Sequence, residues 1–266
     1  MRIITICLAL LSTPVAAHEF WIEPLEWQIA PDDTLQAKLV NGSEFAGVDF
    51  AFLPQRFTRF DLAQNGTLAP VASRLGARPA IDQVMGEDGL VVAVYVSTLN
   101  KVTYEERATF DKFVVQKDLG AVARDHEARG LPEAGFSELF TRYSKALVAV
   151  GEGEGEDRRF GLETELVALD NPYTGDLSEG MRVQLFYGEE TRDAVQVELY
   201  ERTPEGEVTE ILLRTNENGV AVLPVKPGHD YLASAVVLRE PEAGIAARTD
   251  TVWESLWAAL SFAVPD

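Results

Sequence analysis

Apolar positions recur along this chain with two different periods, and the change of period marks its organisation. Thr34-Leu35-Gln36-Ala37-Lys38-Leu39-Val40 alternates apolar with polar residues and runs into Asn41-Gly42, the pattern of a half-buried strand entering a turn. Val48–Leu53 and Arg56–Leu62 read as further strands, the second closed by an Asn65-Gly66 turn. Leu90–Val96 is β-branched and almost continuously apolar, which predicts a buried central strand. The period then lengthens. Glu105–Leu119 brings Ala108, Phe110, Phe113, Val114 and Leu119 to helical spacing. Phe136–Val150 sets Phe136, Leu139, Phe140, Tyr143, Ala146, Leu147 and Val150 at three- and four-residue steps, and predicts the clearest amphipathic helix in the protein. On that helix Glu138, Arg142 and Lys145 would form surface ion pairs.

Beyond residue 160 the helical period is gone. Met181–Tyr187, Ala194–Tyr200, Val208–Arg214, Val220–Val225 and Tyr231–Leu238 read as strands, separated by Gly188, Pro204-Glu205-Gly206, Asn216–Gly219 and Pro227-Gly228. Ser255–Val264 is apolar and aromatic, and fits a closing strand or a helix equally well. The fold expected is mainly β with some α. An N-terminal α+β domain over 18–160 is followed by an antiparallel Ig-like β-sandwich over 175–266. The run Gly151-Glu152-Gly153-Glu154-Gly155-Glu156-Asp157 has no apolar anchor and predicts a flexible loop between the two. It lacks the ligand spacing of a calcium loop.

Charge and the first residues bear on location. The chain has 266 residues, with Lys+Arg 23 and Asp+Glu 43, a net charge of −20. Such a charge argues against nucleic acid and anionic membranes as partners, and suits cations. Residues 1–17 carry Arg2, the apolar run Ile3–Leu11 and the small residues Val15-Ala16-Ala17, the pattern of a secretory signal peptide cleaved before His18. The single cysteine, Cys7, would leave with it. An exported chain held without disulfides points to a bacterial periplasm. No later apolar run is long enough to span a bilayer, so no membrane insertion is expected after cleavage.

Few residues carry chemistry. No HExxH, GxSxG, P-loop or GxGxxG occurs, and thiol chemistry is excluded from the mature chain. The histidines are His18, His126 and His229. Cleavage before His18 would give one residue both a free α-amine and an imidazole, which can chelate one metal ion. The reference pKa of an α-amine, about 7.7–8.0, lets a metal displace its proton near neutrality. A second histidine would complete a three-nitrogen site, the histidine brace, favouring Cu(II) and then Ni(II), Co(II) or Zn(II). His229, beside the Pro227-Gly228 turn, is the preferred partner. His126, in the charged stretch Ala123–Arg129, is the other. Trp253 and Trp257 read as core or interface residues.

The mature start His18-Glu19-Phe20-Trp21-Ile22-Glu23-Pro24 resembles the AH(D/E)(F/L)W opening of a bacterial family of exported proteins of unknown function. Asn41–Gly47, Gly130–Glu133, Thr141–Leu147 and Trp253–Phe262 fit the same family. That family was once grouped with the periplasmic component of nickel and cobalt uptake systems. The resemblance implies a transition-metal cofactor or cargo, and a membrane transporter or outer-membrane receptor as partner. Thr215–Leu223, followed by Pro227-Gly228 and Tyr231, resembles the carboxypeptidase-regulatory-like or transthyretin-like sandwich, a structural or binding module. The function expected is metal binding or delivery through His18, without catalysis. The alternatives are a metal-free module for protein or glycan contacts and, more weakly, a copper oxidase-type enzyme on the same brace.

Overall fold

The structure is a computed structural model and describes residues 18–266. The signal-peptide reading, its cleavage site and Cys7 therefore lie outside the described residues. The first strands are β1 (Glu19–Pro24), β2 (Gln28–Ile29), β3 (Thr34–Ser43), β4 (Ala46–Phe50), β5 (Phe57–Gln64) and β6 (Thr67–Pro70). They are followed by β7 (Ile81–Val84), β8 (Gly89–Ser97), β9 (Asn100–Tyr104), β10 (Phe136–Val150), β11 (Thr164–Ala168) and β12 (Met181–Tyr187). The last are β13 (Glu190–Thr191), β14 (Gln196–Arg202), β15 (Val208–Arg214), β16 (Val220–Leu223), β17 (Asp230–Arg239) and β18 (Trp253–Ala263). Three helices interrupt them: α1 (Arg107–Gln116), α2 (Val122–Ala128) and α3 (Ala243–Thr249). The chain is mainly β with some α, as the pattern predicts.

The strands form three layers. A central ten-stranded sheet runs β15-β14-β17-β18-β10-β8-β5-β6, with β2 and β9 also on β10. On one face lies β1-β3-β4 with β7, which sets Phe20, Ile22, Leu35 and Leu39 against Phe60, Leu62, Val91, Tyr95, Ala146 and Val148. On the other lies β11-β12-β13 with β16, which sets Leu166, Met181, Val183 and Leu185 against Val92, Leu147, Ala233, Leu256, Leu260 and Phe262. Helices α1 and α2 continue the first outer layer. Phe110, Phe113 and Val122 cover Trp253 and Trp257 of β18.

Two expectations change here. Phe136–Val150 is the 15-residue strand β10, not a helix. With both faces of the central sheet covered, a strand at its middle needs apolar residues on both sides, so period-two alternation disappears. What remains of the pattern, charged residues at 138, 142 and 145, imitates a helix period. Arg142 and Lys145 are not surface partners. Both are buried, and strand alternation sends them to opposite faces. The second change concerns the boundary between the expected domains. β10 pairs with β18 in parallel from Glu138↔Trp253 to Ala146↔Ser261, so the α+β half and the sandwich half share one sheet. Within 175–266 the pairings of β12 with β13 and β16, of β14 with β15 and β17, and of β17 with β18 are all antiparallel, as expected of the sandwich.

Gly151–Asp157 is stitched down rather than free. Leu90 N–H donates to Glu154 O at 2.7 Å, and the Asn171 amide donates to Gly153 O at 2.8 Å and to Gly155 O at 2.9 Å. The alternating glycines serve this path. Gly151 and Gly153 have φ of +60° and +68°, and a Cβ would lie 2.0 Å from Asp88 Oδ2 and 2.6 Å from Ala149 Cβ respectively. Asp157 closes the segment by accepting from Lys145 Nζ at 2.7 Å and from Ala168 N at 2.8 Å.

Lys145 has two carboxylates around its buried ammonium, Asp157 at 2.7 Å and Glu165 at 3.4 Å, and also donates to Leu166 O. Removing only the cation leaves buried Asp157 without a cationic partner and buried Glu165 with only Arg159, at 3.8 Å. Lys145→Met is expected to lower unfolding free energy by about 3–5 kcal/mol in urea denaturation. Adding Asp157→Asn and Glu165→Gln should recover most of that loss. A loss under about 1 kcal/mol for the single variant would show that this position is wet rather than buried.

Candidate functional site

Strand alternation and the β10–β18 register bring one set of polar residues to the face under β1 and α1. Glu138 and Arg142 come from β10, opposite Trp253 and Trp257 of β18, and Ser255 lies between those two tryptophans. β1 and α1 meet over this line without closing it. The seam leaves a cavity of about 190 Å³ lined by His18, Asn41, Val102, Tyr104, Thr109, Phe113, Glu138, Phe140, Arg142 and Trp257. A second cavity of about 320 Å³ adjoins it around Asn41, Phe140 and Arg142, and adds Phe20, Phe50, Arg56, Tyr95, Ser97 and Asn100.

Lys117, just past α1, ties the seam together. Its Nζ donates to Glu19 Oε1 of β1 at 2.6 Å and to Glu198 Oε2 of β14 at 2.5 Å, and stands 5.1 Å from the Trp257 ring centroid. All three charged groups are buried. Burial holds the Glu198 carboxyl above the usual range, while Lys117 and Tyr200 pull it back. The residue after His18 is thereby fixed to both a helix and the central sheet.

Inside the cavity, Tyr104 O–H donates to Glu138 Oε2 at 2.9 Å and Ser255 O–H donates to Oε1. Trp257 Nε1–H donates to Ser255 Oγ at 2.8 Å. Burial pushes the Glu138 carboxyl up to about 7, against the two hydroxyl bonds and the Arg142 charge. Burial also raises Tyr104, with Glu138 adding to the effect. The Arg142 guanidinium stacks on Trp257, 3.9 Å from the ring centroid, with Phe140 at 5.2 Å. Burial lowers its pKa to about 10, with Glu19 and Glu138 opposing the fall, so it stays cationic at neutral pH.

The three histidines do not converge. His18 is exposed at the cavity rim, with Nδ1 3.4 Å from Asn41 Nδ2. His126 is fully buried among Phe110, Phe136 and Trp253, and both its ring nitrogens are taken. Trp253 Nε1–H donates to Nδ1 at 3.0 Å, which leaves Nε2–H to donate to Pro132 O at 2.9 Å. The charged residues around it in sequence face solvent on a short helix whose inner side it fills. His229 stacks beside Tyr231, and its Nδ1 lies 2.6 Å from Glu201 Oε1, a close contact off the line of a hydrogen bond. Lys226 shares that carboxylate at 2.7 Å. Arg202 bridges Glu23, at the far end of β1, to Asp230 beside His229, each at 2.7 Å. Five residues of β1 therefore separate the ends holding His18 and His229, ~16 Å of strand. Neither His126 nor His229 supplies the third nitrogen of a brace at His18. Among the described residues, no group of three or more His, Cys, Asp or Glu is gathered to hold a metal.

The family model described as Domain of unknown function (DUF4198) matches residues 15–239. The chain belongs to this family. The DUF4198 match takes in every residue lining both cavities except Trp257, and stops before β18, which supplies Ser255 and Trp257. No curated protein matches the chain.

Glu138 carries a pH signature. Its carboxyl titrates near 4.5 in the unfolded chain and at about 7 in the fold. Between these values the native state holds a proton that the unfolded state has lost, so stability falls as pH rises through that window. The loss is on the order of 3 kcal/mol once pH exceeds 7. Glu138→Gln should flatten this slope, because an amide still bonds both hydroxyls and never ionises. Urea denaturation at pH 5 and pH 8 checks it, and an unchanged slope in the variant would assign the titration elsewhere.

Proposed function

We propose that this DUF4198 chain is an exported, periplasmic binding protein that holds a divalent transition metal at His18 and passes it to a membrane-bound partner. The observation that carries the reading is the position of His18. Of the three histidines it is the one that is exposed and lines a described cavity. The lone pair a metal would take, on Nδ1, meets only the Asn41 amide at 3.4 Å, a contact at the outer limit of hydrogen bonding. Once residues 1–17 are removed, the α-amine joins the ring as a second donor, and Asn41 can turn its amide oxygen inward as a third. This donor set fits a metal of two nitrogens plus oxygen. It is weaker than the brace expected from sequence, since the other histidines are engaged elsewhere.

The described residues contain no helix long and apolar enough to cross a membrane. Clamping by Lys117 gives the site rigidity at the one point where a chain terminus is otherwise loose. A bound metal would supply a fixed positive charge at the cavity mouth, and Glu19, Glu138 and Asn41 would set its surroundings.

Titration of the chain beginning at His18 with Cu(II), followed by calorimetry and electron paramagnetic resonance, should show one site with nitrogen ligation. His18→Ala, or one extra residue before His18, should weaken binding more than about tenfold, at least 1.4 kcal/mol. His126→Ala and His229→Ala should leave the signal of the bound metal unchanged. Equal affinity in wild type and His18→Ala would end the reading.

A further inference from the structure

Arg142 is not satisfied by the fold. Its side chain is only 8% exposed, and Nε and Nη1 have no hydrogen-bond partner. A buried cation in that condition is costly to keep. Lys117 and Lys145, the other deeply buried cations, are each held by two carboxylates. Glu19 and Glu138 offset the Arg142 charge through space, but neither bonds to it.

The geometry restricts what could bond to it. Trp257 covers one face of the guanidinium at 3.9 Å. Its donors point outward in the plane of the group, so a partner must arrive edge-on and present two acceptors. A carboxylate has that shape. The rest of the inner cavity is walled by Val102, Phe140 and the Phe113–Trp257 pair, whose rings stack on each other with centroids 5.5 Å apart. Local charge agrees. The chain as a whole is at −20, yet among the residues lining the two cavities Glu138 is the one carboxylate, against Arg142 and Arg56. The volumes of the two adjoining cavities place them together within the roughly 300–1,000 Å³ of small-molecule sites.

We propose that the cavity behind His18 binds a small organic carboxylate with a flat apolar body, its carboxylate on the edge of Arg142 and its body against Val102, Phe140 and the edge of the stacked Phe113–Trp257 pair. The site needs no metal, and stands apart from the reading of His18. The charge of Arg142 is what the ligand answers, and the tryptophan that stacks on that arginine reports its arrival.

The test uses the chain from residue 18 to 266, treated with a chelator and free of added metal. Benzoate and phenylacetate are titrated at constant ionic strength, with benzamide as the uncharged isostere. The indole N–H signal of Trp257, assigned with Trp257→Phe, is followed by ¹H–¹⁵N NMR. Both carboxylates should shift that signal saturably, and benzamide should not. Arg142→Gln should weaken benzoate binding roughly 10–100-fold, the range of one to two charge-assisted hydrogen bonds, and Arg142→Lys should fall between. Should either variant fail to fold, the contrast between benzoate and benzamide on wild-type protein still decides. No saturable shift at Trp257 with either carboxylate, or equal binding of benzamide, overturns the proposal. Cu(II) titration of the same sample separates the two readings. Benzoate binding without Cu(II) binding sinks only the metal site, and the reverse sinks only this one.

Discussion

A strand with both faces covered must satisfy every polar group it carries where that group stands, because no water reaches it. This constraint on the β10–β18 pair organises the rest of the molecule. Lys145 is met by Asp157 and Glu165, which in turn bind the backbone of 158–168 and draw the Gly/Glu segment onto the sheet. Ser144 and Ser261 on the opposite face donate to Phe20 O and Ile22 O, and so hold β1 across the strands beneath it. Glu138 is met by two hydroxyls. Arg142 alone keeps free donors, and it lines the wall shared by the two cavities.

The same constraint fixes the start of the described chain. Glu19 is buried beside Lys117, and β1 continues for six residues in register with β3 from Glu19↔Gly42 to Pro24↔Ala37. A segment anchored by an ion pair at its first buried residue and by a ladder thereafter cannot fray, so His18 is held over the seam between β1 and α1. The cavity exists because two different elements, a strand and a helix, cover neighbouring stretches of one sheet face and do not interdigitate at their junction. Its floor is aromatic, and its charged groups Glu138 and Arg142 come from the central sheet, where rigidity is greatest.

Much of this was legible in sequence where one face of an element meets solvent. The Asn65-Gly66 hairpin joins β5 to β6 as its residues require, and the strands of the second half fall where their turn residues put them. Where both faces are covered the outcome divided: β8, β-branched and without charges, was legible, and β10 was not. β10 lost its alternation, and its three charges imitated the polar stripe of a helix. The turn expected at Asn41-Gly42 is strand, and the chain reverses at Glu44-Phe45, both in the left-handed region at φ of 52° and 56°. Neither residue type announces that conformation. Of the site, His18 was readable from its place after a cleavage pattern. Glu138, Arg142 and Trp257 were noticed but assigned to a helix surface or to packing, Asn41 was assigned to a turn, and Tyr104 and Lys117 gave no signal. Charges inside a long apolar run were the available clue, since such charges are rarely left on a buried strand without a partner or a purpose.

The proposed metal site lies at His18, over the cavity and remote from His229. Paramagnetic broadening tests it most directly. One equivalent of Cu(II) is added to the chain beginning at His18, and ¹H–¹⁵N signals are compared with the metal-free protein. The account predicts loss of the signals of Asn41, Thr109 and the Trp257 indole, with Tyr231 and the residues around His229 still sharp. Broadening centred on His229 and Tyr231, or spread over the acidic surface without a centre, would contradict it.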